Sequence, residues 1–192
     1  MCNAGMRVFL ATFIGLSLVV AAELGQKRRE VVKAEALLSQ ESVHPGGILK
    51  VAVWVKIDKD WHVHADRVSD EFLIPTSLAL QKTPGLRVLE IIYPKRILGK
   101  YAYSETAIEV FEGEFLIGAL LQTAPDAPLK RLKLSAILEY QACNNRGCLP
   151  PQQSDLKIEF DVVDSSQEII EIHSDIFSKI AFTKDKTPVP AG

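Results

Sequence analysis

The sequence is poor in several of the things that would fix a function at once. It has three cysteines, two tryptophans and only 7% aromatic residues. That is too few cysteines for a disulfide-rich miniature scaffold. Lysine and arginine do not gather into a long patch, and the formal net charge is −2. Nucleic acid is therefore excluded as the main partner, because phosphate binding depends on clustered cations. There is no glycine-rich phosphate loop, no hydrolase motif around Ser104-Glu105, no internal repeat and no low-complexity segment. Hydrophobic and charged residues make up 47% and 24% of the 192 residues, as in an ordinary globular domain with appendages.

The longest apolar run, Val8 to Ala22, is shorter than the roughly 20 residues of a membrane span. It ends in Val20-Ala21-Ala22, small residues suited to a signal peptidase, which predicts a signal peptide over 1–22 cleaved after Ala22. Met6 is an alternative start. Lys27-Arg28-Arg29 follow closely and resist translocation, so an uncleaved anchor over 8–22 is the competing reading. Cys2 precedes the run and leaves with it. Cys143 and Cys148 remain as an even pair, suited to an oxidising compartment.

Beyond the run, the hydrophobic period is two. Val32, Ala34, Ala36 and Leu38 share one face of a first strand, and Leu49, Val51, Val53, Val55 and Ile57 one face of a longer second. Strands are expected near 76–81, 86–92, 106–111 and 114–122, separated by turns rich in proline and glycine. Residues 58–71 read as irregular. The cleanest alternation belongs to Leu132–Tyr140 and Leu156–Val162. Many short strands with regular turns predict an all-β sandwich over 31–164. The tail, 165–192, changes period. Ile169, Ile170, Ile172, Ile176, Phe177 and Ile180 predict a short helix over about 166–181, with Ser165 and Glu168 spaced as a capping box and a loose end after it. The helix is expected to dock on the sandwich or on a partner.

The two best strands are joined by Gln141-Ala142-Cys143-Asn144-Asn145-Arg146-Gly147-Cys148-Leu149-Pro150-Pro151. Asn144, Asn145 and Gly147 tolerate the left-handed angles of a sharp reversal, and Pro150 helps fix the exit. A bridge here would restrict the unfolded chain by only about 2 kcal/mol, so it is a weak staple. On spacing alone, an exchangeable bridge and a passive one stand level. Arg146 would favour a thiolate, and Glu139 or Tyr140 would lie close to it. His62 and His64, two apart, would face one way. With His44 or a cysteine they suggest a metal site. The plainer reading is histidines beside a packed Trp61, and no metal is assigned. Trp54 reads as packing and Asp126 as a turn former.

The segment YQACNNRGCLPP closely resembles the cysteine segment of the N-terminal domain of DsbD-type thiol:disulfide interchange proteins. The stretch DKDWHVHA, then Ile74-Pro75-Thr76, Tyr93-Pro94 and Val110-Phe111-Glu112-Gly113-Glu114 follow in that family's order, so the resemblance covers about 34–164. It implies an immunoglobulin-like sandwich and a redox role in the periplasm, with no metal or organic cofactor. It implies that Cys148 makes a mixed disulfide with an exported client protein and that Cys143 resolves it. Tyr140, Gln141, Arg146, Gly147 and Pro150 would support the cysteine loop. The electron donor would be a membrane thiol transporter or a thioredoxin-like protein. The family's aromatic cap loop maps to Lys95–Lys100, where Ile97, Leu98 and Gly99 offer no ring, although Tyr101 and Tyr103 are close by. Full-length members continue into a membrane domain and a thioredoxin-like domain, so a separate donor is expected here. The competing class is an immunoglobulin-like binding module with a passive bridge.

Overall fold

A computed structural model describes residues 30–68 and 70–183. The expected signal or anchor over 8–22, Cys2 and the loose end lie outside the described residues. Thirteen strands run in chain order: β1 Val32–Leu38, β2 Ser42–Val43, β3 Ile48–Ile57, β4 His62–His64, β5 Ser77–Leu80, β6 Leu86–Ile92, β7 Ile97–Gly99, β8 Ile108–Glu112, β9 Glu114–Thr123, β10 Arg131–Tyr140, β11 Ala142–Asn144, β12 Gly147–Cys148 and β13 Gln152–Val162. One helical turn, α1, spans Ser174–Phe177.

Two four-stranded sheets make the sandwich, ordered β1-β3-β9-β6 and β2-β13-β10-β5. The alternation seen in sequence is what packs them. Val51, Val53 and Val55 of β3 and Leu134, Leu138, Ile158 and Phe160 of β10 and β13 are buried in one shared core, while the lysines, glutamates and aspartates between them face out. The outward rows of β10 and β13 are tied by Arg131–Asp161 and Lys133–Glu159 ion pairs. The chain is thus an immunoglobulin-like, nearly all-β sandwich: the strand pattern predicts the sandwich, and the family resemblance its immunoglobulin-like form.

A third sheet, ordered β12-β11-β4-β8-β7, closes one end. Strands from both main sheets feed it. β3 turns at 58–61 into β4, β8 precedes β9 across Gly113, and β10 passes through Gln141 into β11. Gly113 takes a positive φ of 66°, which lets β8 and β9 belong to different sheets. The 58–71 stretch therefore contains a strand, where its polar sequence reads as irregular.

The C-terminal helix is shorter than its periodicity suggests. The Ser165–Glu168 box does not form; Asp164 Oδ1 instead accepts the Ser166 N–H at 2.9 Å, making a turn. Ile172 N–H donates to Ser39 O at 2.7 Å and Glu171 pairs with Gln40, so those backbone groups are spent on the sandwich before a helix can use them. His173, at φ 53°, then redirects the chain into the single turn. The segment docks on the outer face of β3 and β9. A Cβ at Gly118 would lie 2.6 Å from Ile180 Cγ2 and 3.0 Å from Phe182 Cζ, so the close approach depends on glycine there.

Candidate redox site

The end sheet has two unlike faces, and the ladder register assigns them. Ala142, Val63 and Phe111 stand opposite one another and point into the core. The other face carries Cys148 opposite Cys143, Cys143 opposite His62, and His62 opposite Glu112. His64, two residues on, shares that face. The cysteines thus lie on a small hairpin that continues β10 and joins a different sheet, rather than on an open loop.

Cys143 and Cys148 are joined by a disulfide, with Cα atoms 4.0 Å apart. The two sulfurs are unequal. Cys143 is fully buried, whereas Cys148 is exposed. Asn144 Oδ1 accepts the Arg146 N–H at 2.8 Å, closing the tip in an Asx turn, and Gly147 adopts φ 150° to turn the chain back. At the neck, Gln141 Nε2 donates to Leu149 O at 3.0 Å and Leu149 N–H donates to Ala142 O at 2.8 Å. Arg146 is exposed at the tip and Pro150 at the exit, while Tyr140 is buried in the core. Glu139 faces outward and accepts from Ser77 Oγ at 3.3 Å.

Behind the hairpin lies a cluster that the spacing of the histidines hints at but does not assemble. His62 and His64 are almost wholly buried. Tyr101 stacks on His62 with ring centroids 3.9 Å apart, and the Tyr103 hydroxyl lies 2.6 Å from His62 Nε2, sharing a hydrogen bond. Tyr101 donates its hydroxyl to Glu112 Oε1 at 2.6 Å. Desolvation pushes His62 down to about 4 and Tyr103 up to about 12; it also raises Tyr101 and lowers His64. His64 Nδ1 lies 3.0 Å from Ile74 O, and its Nε2 lies 3.6 Å from Cys143 Sγ. Thr76 locks this strand end by donating Oγ1–H to His64 O at 2.6 Å.

The rings over this face come from Tyr101 and Tyr103, just after β7. Ile97 sits at the far edge of the same face and lines a cavity of about 580 Å³ with Trp61, His62, Tyr101, Glu112 and Asn145. Leu98 points the other way and is 69% exposed. Gly99 makes room for the Tyr101 ring, since a Cβ there would come within 2.5 Å of its hydroxyl. Arg96 anchors the approach to β7 through a two-pronged pair with Asp66 at 2.8 and 3.1 Å. The signal that could have found Tyr101 and Tyr103 is their own spacing, two apart like His62 and His64.

His44 is not part of this cluster. It lies beyond the other end of β3, with Nε2 2.8 Å from Gln167 O. His64, Cys143 and Cys148 place one nitrogen and two sulfurs within 4.8 Å of one another. The bridge engages both sulfurs, so this is a disulfide with a histidine beside it rather than three open ligands.

The family model described as thiol:disulfide interchange protein DsbD, N-terminal, matches residues 29–159. No curated protein matches the chain by sequence. Among solved structures, the N-terminal periplasmic domain of ScsB from Proteus mirabilis superposes with a TM-score of 0.52 at 15% identity, over 88% of this chain and 59% of that one. The reduced N-terminal domain of Neisseria meningitidis DsbD gives a TM-score of 0.41 at 14% identity, over 72% of this chain and 88% of that one. Among the described residues, no helix is long and apolar enough to cross a membrane. With a match over well more than half its length, the chain belongs to the family of DsbD N-terminal domains.

Proposed function

We propose that this domain is an exported thiol–disulfide interchange module that passes reducing equivalents to other exported proteins through Cys143 and Cys148. The observation that carries the reading is the inequality of the sulfurs. Exchange proceeds by attack on an accessible sulfur and then resolution by a second thiol held beside it. Cys148 is exposed and suits the mixed disulfide with a client; buried Cys143 suits resolution. Family membership supports the same roles, and a membrane thiol transporter or thioredoxin-like protein as donor. The segment 8–22 would deliver the domain to the periplasm as a signal, or hold it there as an anchor.

Trapping tests this directly. Cys143→Ser protein is expected to accumulate a mixed disulfide through Cys148, seen as a mass adduct or a slower band without reductant. Failure of both single-cysteine variants to trap any disulfide partner would overturn the proposal. A redox titration is the second check: a midpoint far below about −300 mV would mark a structural bridge.

A further inference from the structure

The resolving role leaves a chemical difficulty. Cys143 is fully buried, and burial in apolar surroundings disfavours the thiolate, the only form that attacks. A buried thiol with nowhere to send its proton would resolve slowly. We propose that His64 is the catalytic base for Cys143, taking its proton through Nε2. This rests on the interchange reading above.

Hydrogen bonding fixes where the ring proton sits. Ile74 O can only accept, so the 3.0 Å contact with His64 Nδ1 requires the ring hydrogen to be on Nδ1. In the neutral ring, Nε2 then carries a bare lone pair. That atom lies 3.6 Å from Cys143 Sγ, within reach of an S–H donor. Burial lowers the histidine and keeps it neutral at physiological pH, able to accept a proton. Thr76 and Ile74 hold it from behind, so its aim does not depend on a client. The other titratable groups packed around it are His62 on β4, Tyr103 of the 101–103 segment and Cys148 on β12.

The Cys148 thiolate attacks a client disulfide; one client sulfur leaves as thiolate and a Cys148–client disulfide forms. Cys143 S–H then gives its proton to His64 Nε2 as its sulfur attacks Cys148 Sγ. The Cys148–client bond breaks, and its electron pair leaves on the second client sulfur, which takes a proton from water. The client disulfide gains two electrons, the dithiol becomes the Cys143–Cys148 bridge, and the imidazolium sheds its proton to solvent. When a donor thiolate later opens the bridge at Cys148, the departing Cys143 sulfur takes up a proton from solvent, relayed through His64 Nε2.

An aromatic disulfide that releases one coloured thiolate per step, dithiobis(2-nitrobenzoate), separates the two stages in reduced protein. His64→Asn keeps an N–H toward Ile74 O and removes the base. The first release is expected to be unchanged and the second slowed on the order of a hundredfold. Wild-type resolution should be nearly flat from about pH 6.5 to 8, whereas the variant should gain roughly tenfold per pH unit as thiolate forms by simple ionisation. An unaltered second release, or an identical pH profile, overturns the assignment. If the variant does not fold, nitrogen NMR of reduced wild-type protein decides instead. A protonated Nδ1 and bare Nε2 are expected, and the opposite tautomer overturns it. Absence of both releases in wild-type protein would sink the interchange reading itself, a different result from a second release that ignores His64.

Discussion

The β10–β13 ladder and the end sheet are built from the same chain, yet they spend their residues differently. The ladder pairs ten positions without interruption, buries aliphatic and aromatic side chains and shows its charges to water. The end sheet uses strands of two to five residues and buries two histidines beside a sulfur. Strands that short do not hold themselves together. They are held by side-chain bonds from Thr76, Tyr101, Tyr103, Gln141 and Arg96. The contrast separates a region that supplies stability from one that supplies chemistry, and it can be tested from both sides.

The largest effect belongs to the ladder. Phe160→Ala, deep in the core, is expected to cost about 3–5 kcal/mol in denaturant unfolding. The redox midpoint of the folded fraction should stay within error; a large shift would mean that the two regions are not separable.

Next comes acid. Desolvation holds His62 at about 4, below its ordinary 6.5, so between those values the unfolded chain binds a proton that the folded chain refuses. Its contribution is complete above pH 6.5 and is lost as the pH falls towards 4, by about 3 kcal/mol. Melting curves across that window should show the fall in wild-type protein and a flatter profile in His62→Phe. An equally steep profile in the variant would show that the buried ring is not the cause.

Reduction of the bridge is expected to be milder, lowering stability by about 2 kcal/mol, because the closed loop is so small. A loss comparable to Phe160→Ala would recast the hairpin as a staple and favour the passive-bridge reading. Smallest is Gly99→Ala. The new methyl must displace the Tyr101 ring from His62, costing about 1 kcal/mol of stacking, and should speed reduction of the bridge by dithiothreitol. An unchanged reduction rate would mean that the rings do not shield the sulfurs.

This division also explains what could be read in advance. Period-two alternation announces a strand only when one face is apolar and the run is long, as in Leu132–Tyr140. The longer strands of both main sheets were legible, although the two-residue β2 was not, and so was the adjacency of Cys143 and Cys148, which needs only a short reversal. His62-Val63-His64 alternates as well, but its outward face is polar and still buried, which inverts the usual cue. β7, β11 and β12 are too short to carry a period at all. The tail misleads for the opposite reason. Its isoleucines have helical spacing, but Ile170 is 70% exposed, and the backbone at 171–172 is claimed by hydrogen bonds to distant residues that no local pattern encodes.

The passage of β10 through Gln141 into the hairpin has a mechanical side. Cys148 leads into β13 and Cys143 lies on the extension of β10, so a pull on a molecule tethered at Cys148 enters the ten-position β10–β13 ladder from one end. The hairpin joins both strands at that end, so the load is divided between them and does not peel one from the other. The end that is chemically most open is thereby anchored to the longest uninterrupted ladder among the described residues.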